Sequence, residues 1–257
     1  MRRGGILWHG FAGLVLLFML TPLFILVLFC FSRNALLSFP IAGFTLDWFR
    51  KLFEHPQFWP SLRNSLIITV TVGVVSTVAG TMAALATARL RRAWSISLTL
   101  LVTLPVMLPP LMLGVALLSY FASIGMRLGL PTVIMSHLVF TQPFVVAIVA
   151  ARMASFDHAA VESARDLGAS RLRAFFNVTL PIIRPSVIGA ALIAMALSLD
   201  DFVVTLFTIG GGSTLPIFMW GMLRKGVDPT INVIAVLLML LSIGISLVGL
   251  RATRYRG

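Results

Sequence analysis

The sequence of 257 residues is poor in charge and contains a single cysteine. Charged side chains make up 11% of the chain, whereas hydrophobic ones make up 59% and the mean hydropathy is +1.02. This is too little polar surface to cover a water-soluble protein of that length. Cys30 lies inside an apolar run, which excludes a disulfide framework and a cysteine-based metal site. The solvent implied for most of the chain is therefore lipid.

Sequence motifs of common enzyme chemistry are also missing. Gly210-Gly211-Gly212 is not followed by the Gly-Lys-Ser/Thr that completes a phosphate-binding loop, so we expect a flexible turn there and no ATP bound by this chain. There is no Gly-x-Ser-x-Gly nucleophile turn and no His-Glu-x-x-His zinc helix. We therefore expect no catalytic residue, no cofactor and no metal site in the chain itself.

The net charge of +12 could indicate nucleic acid binding, but the pattern of the charges argues against it. The sequence has no long run of like charges, and its aromatic residues are not interleaved with Lys and Arg as a single-strand groove requires. Nucleic acid is therefore excluded as a partner. The basic residues instead concentrate between alternate apolar runs, which is the pattern of a membrane protein.

Long apolar runs predict an all-α polytopic membrane protein, because about 20 apolar residues suffice for a helix to cross the hydrocarbon. The first run is too long for a typical signal peptide and is interpreted as a retained helix. Most basic residues lie in segments that face the cytoplasm if both termini are inside, which predicts an N-in, C-in orientation. The six predicted spans cover residues 8–31, 65–88, 94–119, 130–151, 186–208 and 230–250.

The first loop, which this orientation places outside, contains a predicted amphipathic helix at Thr45–His55. Apolar residues recur there at helical spacing opposite charged ones, and Pro56 ends the pattern. One interpretation is an interfacial anchor, with Trp48 and Trp59 in the aromatic belt; the other is a docking surface for an outside partner. The apolar positions are Leu46, Phe49, Leu52 and Phe53.

The longest inside segment, residues 152–184, predicts two short helices. Asp157 can cap the first, Gly168 permits a left-handed stop, and Ser170 can cap the second. Pro181 and Pro185 are expected to break the helix where the chain re-enters the membrane. The first helix carries a small apolar stripe of Val161, Ala164 and Leu167.

This inside segment carries a recognisable motif. Glu162-Ser163-Ala164, three residues, Gly168, nine residues and Val178-Thr179-Leu180-Pro181 together resemble the EAA signature of permease subunits in binding-protein-dependent ABC importers. The resemblance implies the type I importer, MetI-like fold and a coupling helix that docks on an ATPase subunit. By this resemblance the coupling residues are Glu162, Ser163, Ala164, Arg165, Asp166, Gly168, Leu180 and Pro181.

The same resemblance implies a set of partners and a location. The partners would be two cytoplasmic ATPase subunits that hold ATP and Mg, a second permease subunit that is either a paralogue or an identical copy, and a periplasmic or lipid-anchored solute-binding protein. The chain would lie in the bacterial inner membrane as a multi-pass protein, surrounded by lipid. Residues 1–60 would then hold the first helix and outer loop, 61–251 the permease core with coupling loop 152–184, and 252–257 a cytoplasmic tail.

Other segments look like the spermidine/putrescine-type branch of these permeases. Asn64-Ser65-Leu66, Ser198-Leu199-Asp200-Asp201 and Leu215-Pro216 are examples. One departure occurs in the third span, where polyamine members often carry an acidic residue after Pro and this chain has Leu108-Pro109-Pro110. The expected substrate is accordingly a polyamine or a related small organic solute.

Asp200 and Asp201 are the acidic residues within the predicted spans, in the outer half of the fifth. Three roles stay open for them: binding a cationic substrate, a structural or gating role with the partner permease, or a helix end already in water. His137, in the fourth span, is either a hydrogen-bonded packing residue or a proton relay. The alternative function is therefore a proton-coupled secondary transporter that uses His137 with the two aspartates.

Overall fold

The computed structural model describes residues 3–34, 38–226 and 228–254, and most of these residues are helical. The first two and last three residues of the chain, which belong to the predicted inside segments, lie outside this description. By length and composition, five helices of the described chain can cross a membrane, or six if one bent pair is a single span. The five are Trp8–Cys30, Phe58–Thr87, Leu130–Ala154, Arg171–Asp200 and Thr230–Gly249.

The third span is broken, whereas the sequence predicted one continuous helix at 94–119. Helix α4 covers Arg92–Met107 and helix α5 covers Pro110–Ser123, and the two are bent by 102°. Leu108 and Pro109 between them are extended, with ψ of 137° and 136°. Two consecutive prolines remove two amide donors and disfavour helical geometry in the residue before each ring, so the helix ends before them.

The fifth span also differs from its predicted range of 186–208. Helical structure begins at Arg171, passes through a π-helical turn at Phe175–Thr179, continues as α9 at Leu180–Asp200 and ends there. Pro181 and Pro185 therefore do not break the helix, which corrects the prediction. Pro181 comes directly after the π turn, where the hydrogen-bond register changes, and this change accommodates a residue without an amide donor. A separate short helix, α10 at Val203–Thr208, follows.

The described chain divides into two compact units. One unit comprises the chain up to Trp59 together with Phe218–Leu241. It contains α1 (Arg3–Cys30) and the first-loop helix α2 (Asp47–Glu54), which is shorter than the predicted Thr45–His55. Within this unit Leu52 is fully buried and the Trp48 indole N–H donates to the Ser32 carbonyl at 2.7 Å.

The other unit comprises Pro60–Ile217 and the chain from Ser242 onward. Most of α3 (Phe58–Thr87), α6 (Leu130–Ala154) and α9 form its core. Small residues allow close approach: a Cβ at Gly73 would lie 2.3 Å from Met195 Cγ, and one at Gly80 would lie 2.6 Å from Val145. The buried core residues are Ala84, Val145, Val146, Val149, Met153, Phe156, Ile183, Ala190 and Ala194.

The remaining helices complete both units. Helix α7 at Ala159–Asp166 and helix α8 at Arg171–Ala174 lie in the predicted coupling segment. Helices α11 (Leu215–Lys225) and α12 (Thr230–Arg254) each begin in one unit and end in the other. The all-helical membrane fold predicted from the sequence is confirmed, whereas the N-in, C-in orientation stays a prediction.

Candidate functional site: a cavity at two helix breaks

The breaks in the third and fifth spans line one cavity of about 480 Å³. Residues from the end of α4 and the start of α5 form one wall, and residues around the α9–α10 break form another. Two phenylalanines of α6 complete the surface. The lining residues are Pro105, Val106, Leu108, Pro110, Leu113, Phe140, Phe144, Ala196, Leu197, Asp200, Asp201 and Val204.

The electrostatics of this cavity favour a cation. Helices α4 and α9 both end at its wall, and the carbonyl groups at a helix C-terminus carry partial negative charge. The two helices that begin there, α5 and α10, contribute less partial positive charge than usual, because each has fewer free N–H groups at its N-terminus. Pro110 at the start of α5 has no N–H, and the Thr205 amide of α10 donates to the Asp201 carboxylate at 2.8 Å. The described lining contains two aspartates but no Lys, Arg or His.

The two aspartates differ in their surroundings. Asp200 is the last residue of α9, its side chain is exposed, and within the described chain it makes no hydrogen bond or ion pair. Asp201 has a side chain only 12% exposed, and its Oδ2 accepts from the amide and hydroxyl of Thr205 at 2.8 and 2.9 Å. The helix of the fifth span thus ends at Asp200 and Asp201 follows it, whereas the sequence placed both within a span of 186–208. Of the two carboxylates, that of Asp200 has no partner in the described chain.

His137 lies in α6 beside the same break and is 1% exposed. Its Nδ1 is 2.8 Å from Ser198 Oγ, and its Nε2 is 2.9 Å from Thr205 Oγ1 and 3.3 Å from Asp201 Oδ2. The interpretation of His137 as a hydrogen-bonded packing residue is thus confirmed. Its contact with Asp201 was anticipated only under the proton-coupled alternative, although ionisable residues within membrane spans commonly pair with one another. The Pro109-Pro110 pair was likewise an available signal for the break in the third span.

The coupling segment folds largely as its local chemistry predicts. Asp157 Oδ1 accepts from the Ala159 amide at 2.9 Å and so caps the start of α7 from just outside it. Gly168 has φ +88°, the left-handed stop that was predicted, and the Ser170 hydroxyl accepts from the Arg173 amide at 3.3 Å. Leu167 departs from the predicted apolar stripe, because it follows the last residue of α7 and is 90% exposed.

The predicted coupling residues fall into two groups. Glu162 and Arg165 line a polar cavity of about 390 Å³ together with Arg89 and Arg171. Leu180 packs against the main core, at the start of α9. The exposed members are Glu162, Ser163, Arg165, Asp166, Gly168 and Pro181, whereas Ala164 is half-buried. The residues of α7 therefore form a mostly exposed surface, whereas Leu180 connects the segment to the core at the start of α9.

Comparison with known proteins identifies the family of this chain. Residues 76–255 match the family model described as "Binding-protein-dependent transport system inner membrane component". The putrescine transport system permease protein PotI of Escherichia coli strain K12 is 31% identical over 86% of this chain and 82% of its own length. The spermidine/putrescine transport system permease protein PotC of the same strain is 30% identical over 93% of this chain and 91% of its own length.

Solved structures agree on the fold. A bacterial ABC transporter that imports the acidic polysaccharide alginate superposes with a TM-score of 0.78, covering 99% of this chain and 97% of that chain at 17% identity. The methionine ABC transporter MetNI in an inward-facing conformation superposes with a TM-score of 0.64 over 78% of this chain. ATP hydrolysis in such importers belongs to a separate subunit, and the permease is not an enzyme. This chain therefore belongs to the family of binding-protein-dependent transport system inner membrane components and is a permease subunit of an ABC importer of the inner membrane.

Proposed function

We propose that this permease conducts a small organic cation of the polyamine class and that Asp200 binds one of its ammonium groups. The cavity at the two helix breaks is the observation that carries the proposal. It combines one unpartnered carboxylate with two helix C-termini and a largely apolar wall. A polyamine has complementary chemistry, because its charged nitrogens are separated by methylene chains.

The relatives support this substrate class. PotI and PotC are named for putrescine and for spermidine/putrescine transport, respectively. Phe140 and Phe144 line the same cavity, and aromatic rings can contact methylene and ammonium groups. Pro110, which stands where polyamine permeases often have an acidic residue, lines the cavity together with Asp200. The fifth span therefore keeps a carboxylate in this cavity, although the third span supplies none.

The proposed assembly follows that of the importers in this family. A periplasmic binding protein delivers the solute, a second permease subunit completes the pathway, and two cytoplasmic ATPase subunits drive it. The N-in, C-in orientation would put α7 in the cytoplasm. The exposed Leu167, Leu172 and Phe176, at 90%, 72% and 59%, provide apolar surface there for an ATPase subunit to cover.

The proton-coupled alternative is not retained. The relatives described above are permeases of transport systems that depend on a binding protein, and they give the alternative no support. His137 and Asp200 also do not contact each other: the imidazole contacts Asp201, whereas Asp200 has no partner in the described chain. A carboxylate that binds the solute, Asp200, and a separate buried network around His137 are compatible with an ATP-driven pathway.

Asp200→Asn tests the proposal by removing one charge while keeping the shape of the side chain. Uptake of putrescine and of spermidine should fall roughly 10- to 100-fold, because a charged hydrogen bond in a partly dry site is worth about 1.5–3 kcal/mol. ATPase activity stimulated by the loaded binding protein should persist, because the coupling segment is untouched. Both would be measured on the assembled importer in liposomes at matched protein levels.

The matched control is Asp47→Asn on α2, where the carboxylate is 71% exposed and lies outside the cavity. It should leave uptake unchanged. Wild-type uptake by Asp200→Asn would rule out the solute-binding role of this carboxylate. Failure of the unmodified importer to transport either amine would refute the polyamine class itself.

A further inference from the structure

The buried network around His137 occupies the point where the fifth span is interrupted. It consists of His137 on α6, Ser198 on α9, Asp201 in the break and Thr205 on α10. His137, Ser198 and Thr205 are at most 4% exposed, and Asp201 is 12% exposed at its side chain. A buried polar group without a partner is costly, so the four groups constrain one another to a single arrangement.

The hydrogen-bond roles in this network can be assigned from chemistry. Asp201 as a carboxylate can only accept, so the Thr205 hydroxyl donates to Oδ2 and its oxygen remains free to accept. The His137 Nε2–H can then donate to Thr205 Oγ1 or to Asp201 Oδ2, and Nδ1 shares a hydrogen bond with the Ser198 hydroxyl. The imidazole thereby joins three elements: α6, the end of α9 and the start of α10.

The network also fixes the short helix that faces the break in the third span. Helix α10 packs directly on α5: a Cβ added at Gly114 of α5 would lie 2.7 Å from Phe207 of α10. So close a fit leaves little freedom for α10 to shift without displacing α5. A change at His137 would therefore be expected to disturb Pro110 and Asp200, which both line the cavity.

We propose, building on the proposed function of Asp200, that His137 is a positioning residue that holds Asp201 in the helix break and thereby presents Asp200 alone to the solute. Asp201 is extended directly after the last residue of α9, and its side chain is held toward His137 of α6, whereas the side chain of Asp200 has no partner in the described chain. In this proposal Asp201 fixes the helix break through its shape and hydrogen bonds, whereas Asp200 attracts the solute through its charge. His137 contacts no solute in this scheme and acts through Asp201.

Conservative and disruptive substitutions separate the two kinds of role. Asp201→Asn keeps an oxygen that can accept from the Thr205 amide, so uptake should fall less than about threefold, whereas Asp201→Ala should lower it roughly tenfold or more. His137→Gln retains a donor near the Nε2 position and should restore most of the uptake that His137→Ala loses. An Asp201→Asn defect as large as that of Asp200→Asn would overturn the proposal, because the charge of Asp201 would then matter directly.

Cysteine labelling provides a readout that does not depend on transport. Cys30 is the single cysteine of the chain, so Cys30→Ala gives a background without thiols. Asp200→Cys and, as a matched control one turn earlier on intact α9, Leu197→Cys would be labelled with a cationic methanethiosulfonate in assembled importer held in nanodiscs. Both positions line the cavity. Adding His137→Ala should slow labelling at 200 by about threefold or more, because Asp201 is released and the side chain at 200 changes direction. The labelling rate at 197, on intact α9, should not change.

The outcomes decide between the possibilities. An unchanged rate at 200 would overturn the positioning role, and an equal loss at 197 and 200 would show a general distortion and overturn it too. Ser65→Ala controls for the loss of a buried hydrogen bond elsewhere, because the Ser65 hydroxyl of α3 accepts from the Leu215 amide at 2.9 Å and neither residue belongs to the His137 network or the cavity lining. It should change neither rate. If the labelling result holds while Asp200→Asn transports normally, the network positions the break and the solute-binding role of Asp200 fails separately.

Discussion

At the residue scale, Asp228 shows how one carboxylate organises a segment outside the spans. Its Oδ1 accepts from the amide and hydroxyl of Thr230, at 2.9 and 2.6 Å, and so caps the start of α12. Its Oδ2 accepts from Lys51 Nζ on α2. Burial raises the pKa of Asp228, but the hydrogen bonds from Lys51 and Thr230 outweigh burial and hold that pKa below its ordinary value of 3.8.

Lys51→Met should therefore destabilise the protein in a pH-dependent way. A carboxylate whose pKa is lowered by folding contributes stability above its unfolded pKa and loses it as the pH falls through the folded pKa. The difference in thermal midpoint between the wild type and Lys51→Met should be full at neutral pH and should shrink as the pH falls below 3.8. Lys51 is 57% exposed, so the difference should correspond to less than about 1 kcal/mol.

Tryptophan fluorescence during thermal unfolding would measure these midpoints. Arg50→Met is the matched control, because Arg50 pairs with Asp47 while both side chains are more than 70% exposed. It should shift the midpoint little at any pH. A Lys51→Met defect that persists undiminished after the carboxylates are protonated would contradict the ion pair as its cause.

At the element scale, the turn after α7 depends on a single backbone conformation. Gly168 has φ +88°, and a Cβ added there would meet no atom within 4 Å. A side chain at position 168 would therefore cause no clash, but the left-handed backbone conformation limits which residues are tolerated there. Asn adopts the left-handed region more readily than other residues, whereas a β-branched residue is strongly disfavoured there.

Gly168→Val should consequently distort the turn at a cost of about 1–2 kcal/mol, while Gly168→Asn should be tolerated. The proposed coupling role predicts that Gly168→Val lowers both co-purification of the ATPase subunit and solute uptake, with normal insertion of the permease in the membrane. Co-purification and uptake would be compared for both variants at matched membrane levels. Equal behaviour of the Val and Asn variants would show that this turn does not control docking.

At the scale of the whole molecule, the charge distribution makes a testable prediction of the orientation in the membrane. The distribution of basic residues predicts that both termini and the coupling segment lie inside and that α2 lies outside. Exposed positions are available in each segment. Leu167 is 90% exposed beyond α7, Leu90 is 42% exposed between α3 and α4, and Arg50 on α2 has a side chain that is 73% exposed.

Single cysteines at these positions in the Cys30→Ala background should report the orientation. A membrane-impermeant maleimide should label Arg50→Cys in spheroplasts and should label Leu90→Cys and Leu167→Cys in inverted vesicles only. Leu90 serves as a control for Leu167, which a bound ATPase subunit would shield. Labelling of Arg50→Cys from the cytoplasmic side would contradict the predicted orientation.

Features that depend on composition and on near neighbours could be predicted without a structure. A mean hydropathy of +1.02 dictated a lipid environment and helices. The left-handed Gly168 and the Ser170 cap were predictable because each acts on the backbone within a few residues of itself. The EAA-like spacing likewise identified the family, and the family model confirmed it.

The positions where the spans are interrupted, and the residues that meet there, depend on long-range packing. Asp200 and Asp201 are equivalent in a sequence pattern, yet packing gives Asp201 the buried partners His137 and Thr205 and leaves Asp200 facing a cavity. Those partners come from separate helices, and no local periodicity specifies which helices become neighbours. The role of each carboxylate follows from desolvation and hydrogen bonding at that meeting point, which exist only once α6, α9 and α10 have packed together.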